Sequence, residues 1–114
     1  MSGRQTLPKL PEDPEAAKER RRFHRVPLDR PAELLSTALG RVGATLVDLS
    51  QSGCRVRTRA RCQAGDHFVL RIGPFGARAV TVAWRQDETV GLVFAELLAW
   101  TVVTAIAFPE PVSA

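Results

Sequence analysis

The stretch "CRVRTRARC", residues 54–62, alternates without a break. Arg55, Arg57, Arg59 and Arg61 fall on one parity, and Cys54, Val56, Thr58, Ala60 and Cys62 on the other. Period two is the signature of a half-buried strand, with the arginines in water and the small apolar residues inside. The same rhythm extends outward. Downstream, "HFVLRI" (67–72) aligns Phe68, Leu70 and Ile72, "ARAVTVAWR" (77–85) aligns Val80, Val82 and Trp84, and "TVGLVF" (89–94) aligns Val90, Leu92 and Phe94. Upstream, "ATLVDL" (44–49) is rich in β-formers, and Val26, Leu28, Ala32 and Leu34 share a parity. Trp84 is thereby expected in the core, and the arginine row is expected to be a solvent face that also blunts a strand edge.

The links between these runs are short and turn-like: "STALGR", "SQSG", "QAGD", "GPFG" and "QDE". Short links join antiparallel neighbours. Six such strands, each with one apolar face, close into a small antiparallel β-barrel, which removes exposed edges. The run "AELLAWTVVTAIAF" (95–108) reads as a C-terminal helix stopped by Pro109. Its uncharged part, Leu97 to Phe108, is far shorter than the roughly 20 residues of a membrane span, so no membrane span is expected. Trp100 lies in this helix, either packed on the barrel or lining a partner surface.

The chain of 114 residues is 45% hydrophobic, a globular composition with room for one core. Three regions are expected: a flexible N-terminal tail (1–18), a barrel domain with its C-terminal helix (19–108), and a short tail (109–114). Across the first boundary, "PEAAKERRRF" (14–23) has the composition for a turn or two of marginal helix. Net charge is +4, but six of the 16 basic residues and only two acidic ones fall within residues 18–30. Positive charge confined to one short segment points to a local anion site rather than to a broad nucleic-acid footprint. The polar, Pro-rich start carries no secretory signal. Two cysteines, Cys54 and Cys62, are spaced unlike a zinc knuckle, and read as free thiols in a reducing, cytoplasmic setting.

That basic segment, "KERRRFHRVP" (18–27), holds Arg20, Arg21, Arg22 and Arg25. A second motif, "DLSQSG" (48–53), lies at a turn between two strands. Alone it is ordinary turn chemistry. The hairpin between them changes that. If residues 26–35 run out and 42–49 run back, residue 25 meets residue 51, and Arg25 returns to Asp48, Ser50 and Gly53. Guanidinium groups bind phosphate in a forked, charge-assisted geometry and read the O6/N7 edge of guanine. A carboxylate accepts hydrogen bonds from guanine's other edge, and glycine permits close backbone approach. A bare phosphate has no use for Asp48, whereas a guanine nucleotide does.

The two motifs together, "RRFHR" and "DLSQSG", resemble the PilZ domain, a bacterial receptor module for cyclic di-GMP, whose signature is RxxxR followed by D/NxSxxG. The resemblance covers residues of about 19 to 100 and includes "AGDHFVL" and "TVAWRQDETVGLVF". It implies a six-stranded antiparallel barrel and a ligand, cyclic di-GMP, gripped by Arg21 and Arg25. Asp48 and Ser50 are then expected to bond the guanine base and nearby groups, and Gly53 to permit the turn. Only Arg21 with Arg25 satisfies the RxxxR spacing. Arg20, just ahead, suggests that the ligand binds as an intercalated pair. Arg20, Arg22 and Arg55 are auxiliary candidates. The implied function is a receptor or adaptor: ligand binding orders the Arg-rich arm, and an unidentified downstream protein reads the change.

Two other classes compete. One is a small basic barrel binding nucleic acid through its arm, which the lack of an aromatic stacking platform disfavours. The other is a PilZ-like interaction scaffold that binds no nucleotide, which the intact signature disfavours. No residues support an enzyme: GxSxG and Walker A patterns are absent, and His24 and His67 have no metal-ligand cluster around them in sequence, so neither a metal nor a cofactor is expected.

Overall fold

A computed structural model describes residues 23–108. The expected tails (1–18 and 109–114), the marginal helix (14–23) apart from Phe23, and Arg20, Arg21 and Arg22 lie outside the described residues. Six strands follow in order: β1 (Val26–Ser36), β2 (Gly40–Leu49), β3 (Gly53–Thr58), β4 (His67–Arg71), β5 (Ala77–Gln86) and β6 (Thr89–Phe94). One helix, α1 (Trp100–Ala107), closes the described chain. The strands form a closed antiparallel barrel in the order β1-β2-β3-β6-β5-β4, with β4 returning to β1. Closure satisfies the ladder on every strand and leaves no edge for another chain to pair with.

The alternation read from sequence fills the barrel. Leu34, Leu46, Val56, Leu70, Val80, Val82 and Val90 are all nearly inaccessible, and Phe68, Leu92 and Phe94 join them. Val103 and Ile106 of α1, and Leu98 ahead of it, extend the same core. The helix therefore packs on the barrel with one stripe and leaves Trp100 42% exposed.

The β1–β2 hairpin keeps the expected register from Ser36↔Gly40 to Arg30↔Leu46, then slips one residue at a bulge, giving Val26↔Leu49. The ends still meet.

Three sequence expectations are corrected. The helix is shorter than 95–108 because Ala95 and Leu98 donate their N–H groups to Ala79 and Gln51 carbonyls, which holds 95–99 extended against the barrel. The β3 ladder stops at Thr58 rather than Cys62, although Ala60 and Cys62 remain buried between exposed Arg59 and Arg61. Trp84 is not in the core. A bulge between Val82 and Trp84 reverses the parity and turns the indole outward, 40% exposed.

Candidate functional site

Bulges also decide where Asp48 points. By simple alternation it would share the inward face of Leu46. The register with β3 shifts between Leu46↔Val56 and Asp48↔Arg55, and that with β1 shifts across the same place. The extra residue, Val47, rotates the strand so that Asp48 joins Arg55 on the outer face while Leu49 turns in.

The carboxylate is then gripped from both sides. Arg25 Nη1 donates to Oδ1 at 2.9 Å, the Arg55 backbone N–H donates to the same oxygen at 3.0 Å, and Arg55 Nε donates to Oδ2 at 2.5 Å. Asp48 itself is 4% exposed, whereas the two arginine side chains are half exposed. A buried carboxylate needs such charge-assisted partners. Each arginine keeps N–H groups facing solvent, and a carboxylate with about four lone-pair sites retains room for one more donor.

The turn that follows is knitted internally. Ser50 Oγ accepts from the N–H groups of Ser52 and Gly53, both at 3.2 Å, and lies 3.2 Å from the Gly53 carbonyl, to which it donates. Its backbone N–H donates to that carbonyl at 2.8 Å. Ser50 is 1% exposed, so its hydroxyl shapes the loop. Gly53 has no positive φ. A β-carbon there would run into the Leu92 carbonyl oxygen across the ladder, so glycine is required by the approach of β6 rather than by turn conformation.

Two further contacts tie this site to α1. Gln51 accepts from the Leu98 N–H and donates its side-chain amide to the Leu98 carbonyl, both at 2.9 Å. His24, next to Arg25, meets Trp100 edge-on with ring centroids 6.4 Å apart.

Sequence reasoning missed one member. Cross-strand partners run Trp84↔Gly91, Gly91↔Arg55, Arg55↔Asp48 and Asp48↔Pro27, a single row over five strands. Gly91 has no side chain, and the Trp84 indole lies over it where a β-carbon would stand. The outer face thus carries an aromatic plane beside the Arg–Asp–Arg cluster. The glycine in "TVGLVF" was the available signal, since a glycine inside a strand marks a close approach.

Burial raises the pKa of the Cys54 thiol, beneath this site, well above its ordinary value; the Asp48 carboxylate adds to the rise and Arg25 opposes it. Both cysteines are free. Among the described residues no cluster of His, Cys, Asp and Glu could hold a metal, and no helix is long and apolar enough to cross a membrane.

Comparison with known proteins gives a consistent result. A family model described as "PilZ domain" matches residues 19–100. The fold is similar to the PilZ domain with c-di-GMP of YcgR from Escherichia coli, with a TM-score of 0.60 and 16% identity over 78% of this chain and 89% of that one. It is also similar to YcgR in complex with c-di-GMP from the same organism, with a TM-score of 0.50 and 18% identity, covering 76% of this chain and 42% of that longer one. No curated protein matches.

Proposed function

The chain belongs to the PilZ domain family, and from that premise we propose that it is a receptor for cyclic di-GMP that passes ligand occupancy to a partner protein. The observation that carries this reading is the outer-face row in which Asp48 is held between Arg25 and Arg55 beside the Trp84 plane. Asp48 accepts from the guanine N1–H and N2–H edge. Arg25, released from Oδ1, turns with Arg21 onto the phosphates and the base. Arg55 holds and aims the carboxylate through its side chain and backbone N–H, and Trp84 offers its face for stacking. Ser50 and Gly53 serve by holding the loop in which Asp48 sits. Arg20 and Arg22 supplement the grip, and Arg20 favours a stacked pair of ligands.

Output runs through ordering of the Arg-rich arm and through α1. The arm joins the barrel at His24–Arg25, which touches Trp100, and the signature turn clasps Leu98. A ligand that moves Arg25 therefore acts on two of the contacts that hold the helix. The partner reads the altered arm and the exposed Leu97, Trp100 and Phe108. No residue in the row is arranged for chemistry on the ligand, so the reading is of binding without turnover.

Calorimetric titration of the full chain with cyclic di-GMP tests this. Wild type should bind at micromolar or tighter affinity, with a fitted stoichiometry of about two ligands per chain. Arg21→Ala, Arg25→Ala and Asp48→Ala should each weaken binding at least about tenfold, as expected for loss of a charge-assisted contact. Absence of binding by folded wild type sinks the receptor reading. An unaffected Asp48→Ala variant sinks the guanine-edge role, and a one-to-one fit sinks the stacked pair.

A further inference from the structure

At the other end of β3 from the signature turn, a second group of arginines surrounds a cavity. Arg59, Arg61 and Arg85 line it with Ala60, Cys62, Gln63 and Asp66, and it measures about 460 Å³. That is within the size range of small-ligand sites. Arg85 is its fixed member. Its Nη1 donates to the Ala60 carbonyl at 2.7 Å and to Cys62 Sγ at 3.4 Å, which aims the guanidinium and leaves its remaining N–H groups for other partners. Among the described residues, no carboxylate pairs with Arg85 or Arg61.

The opposing charges are weakly engaged. Arg59 meets Glu88 at 3.6 Å, but the two side chains are 90% and 60% exposed, so that pair is easily surrendered. Asp66 lies on the wall, and its Oδ2 accepts from the Gln63 N–H at 3.0 Å. The cavity is therefore net positive, with one preorganised guanidinium and two that can close from the rim.

We propose that this cavity is a second anion site, separate from the signature site, that binds a small molecule through a pyrophosphate or phosphomonoester group. The dianionic character and many oxygens of such a group match guanidiniums arriving from different directions, each in forked geometry. A single carboxylate would satisfy Arg85 alone. The site does not depend on the cyclic di-GMP reading, since no signature residue lines it.

The test is an amide-resolved NMR titration of the full chain with inorganic pyrophosphate, with sodium chloride adjusted to hold ionic strength constant. Inorganic phosphate in a parallel arm separates the single group from the double one. The expected result is saturable shifts centred on residues 59–63 and 85. Arg85→Ala should weaken the apparent affinity about tenfold, and Arg61→Ala about threefold, in line with loss of one part-buried, preorganised contact and one exposed charge-assisted contact. Arg61 has no carboxylate partner among the described residues, so its variant reports on binding even if Arg85→Ala perturbs the fold. Arg57→Ala, on the same face of β3 but outside the cavity, should change affinity less than about twofold. Unsaturable shifts, shifts spread evenly over the arginine row, or equal sensitivity to Arg57→Ala and Arg61→Ala would overturn the proposal, because they describe diffuse surface charge.

Discussion

The two ends of residues 54–62 carry the same alternating sequence and become opposite kinds of structure. At the near end, Arg55 is pinned to Asp48 by side chain and backbone, Cys54 is 1% exposed, and the adjoining turn has its serine hydroxyl bonded inside itself. At the far end the inward residues stay buried, but the ladder has stopped. Among the described residues, Arg61 has no carboxylate partner, and Arg59 has only a distant one. The arginines themselves do not differ. What differs is the neighbour across the sheet: β2 delivers a buried carboxylate to Arg55, while β6 and its turn deliver only the exposed Glu88 to Arg59. An alternating pattern specifies which side faces water, and the partner strands specify whether that side is rigid.

The largest test of this contrast is steric. Gly53→Ala puts a methyl group against the Leu92 carbonyl in the β3–β6 ladder, and backbone on both sides must move. The expected loss is about 3 kcal/mol or more in urea unfolding, the range of severe overpacking. Gly65→Ala in the far loop meets open space and suffers only from its φ of +96°, for a loss of about 1 kcal/mol. Equal losses at the two positions would break the claim that the near end is built on close packing.

Much of this was legible in the sequence. Period-two runs with short connectors specify a closed antiparallel barrel, because alternation fixes each strand's inner face and short links fix antiparallel order. The β1–β2 register also followed, which is why Arg25 could be brought to Asp48 without coordinates. The failures lie in features that alternation does not carry. A bulge inserts a residue that alternation does not see, so Trp84 was placed inside and the Trp84–Gly91–Arg55–Asp48 row was invisible. Gly53 was assigned to turn geometry because sequence does not reveal which carbonyl crosses nearby. The helix start was misplaced because Leu98 binds Gln51, a contact between residues 47 apart.

Next in size is a pH effect at the near-end thiol. Burial, reinforced by Asp48, lifts Cys54 above its ordinary value of 9.0. The folded state therefore keeps the proton after the unfolded chain has lost it. That contribution is intact below pH 9.0 and is lost as pH rises further, at up to about 1.4 kcal/mol per pH unit. The chain has no tyrosine to add its own alkaline titration. Unfolding free energy measured from pH 8 to 10 should hold up to about pH 9 and fall toward this slope above it in wild type, and flatten in Cys54→Ala. A slope that survives Cys54→Ala would remove the near-end thiol from the account.

The smallest effect concerns the arginine row itself. Arg55→Ala withdraws one side-chain partner from a buried carboxylate that Arg25 and the Arg55 backbone N–H still hold. Because the guanidinium is about half exposed, solvent moderates the loss to about 1 kcal/mol. Arg61→Ala removes an exposed side chain that has no carboxylate partner among the described residues, and should change stability by less than about 0.5 kcal/mol. A double-mutant cycle isolates the cause: Arg55→Ala should couple to Asp48→Ala, and Arg61→Ala should be additive with it. Coupling at Arg61, or additivity at Arg55, would mean that the ends of the stretch differ by general charge rather than by the one carboxylate that β2 presents.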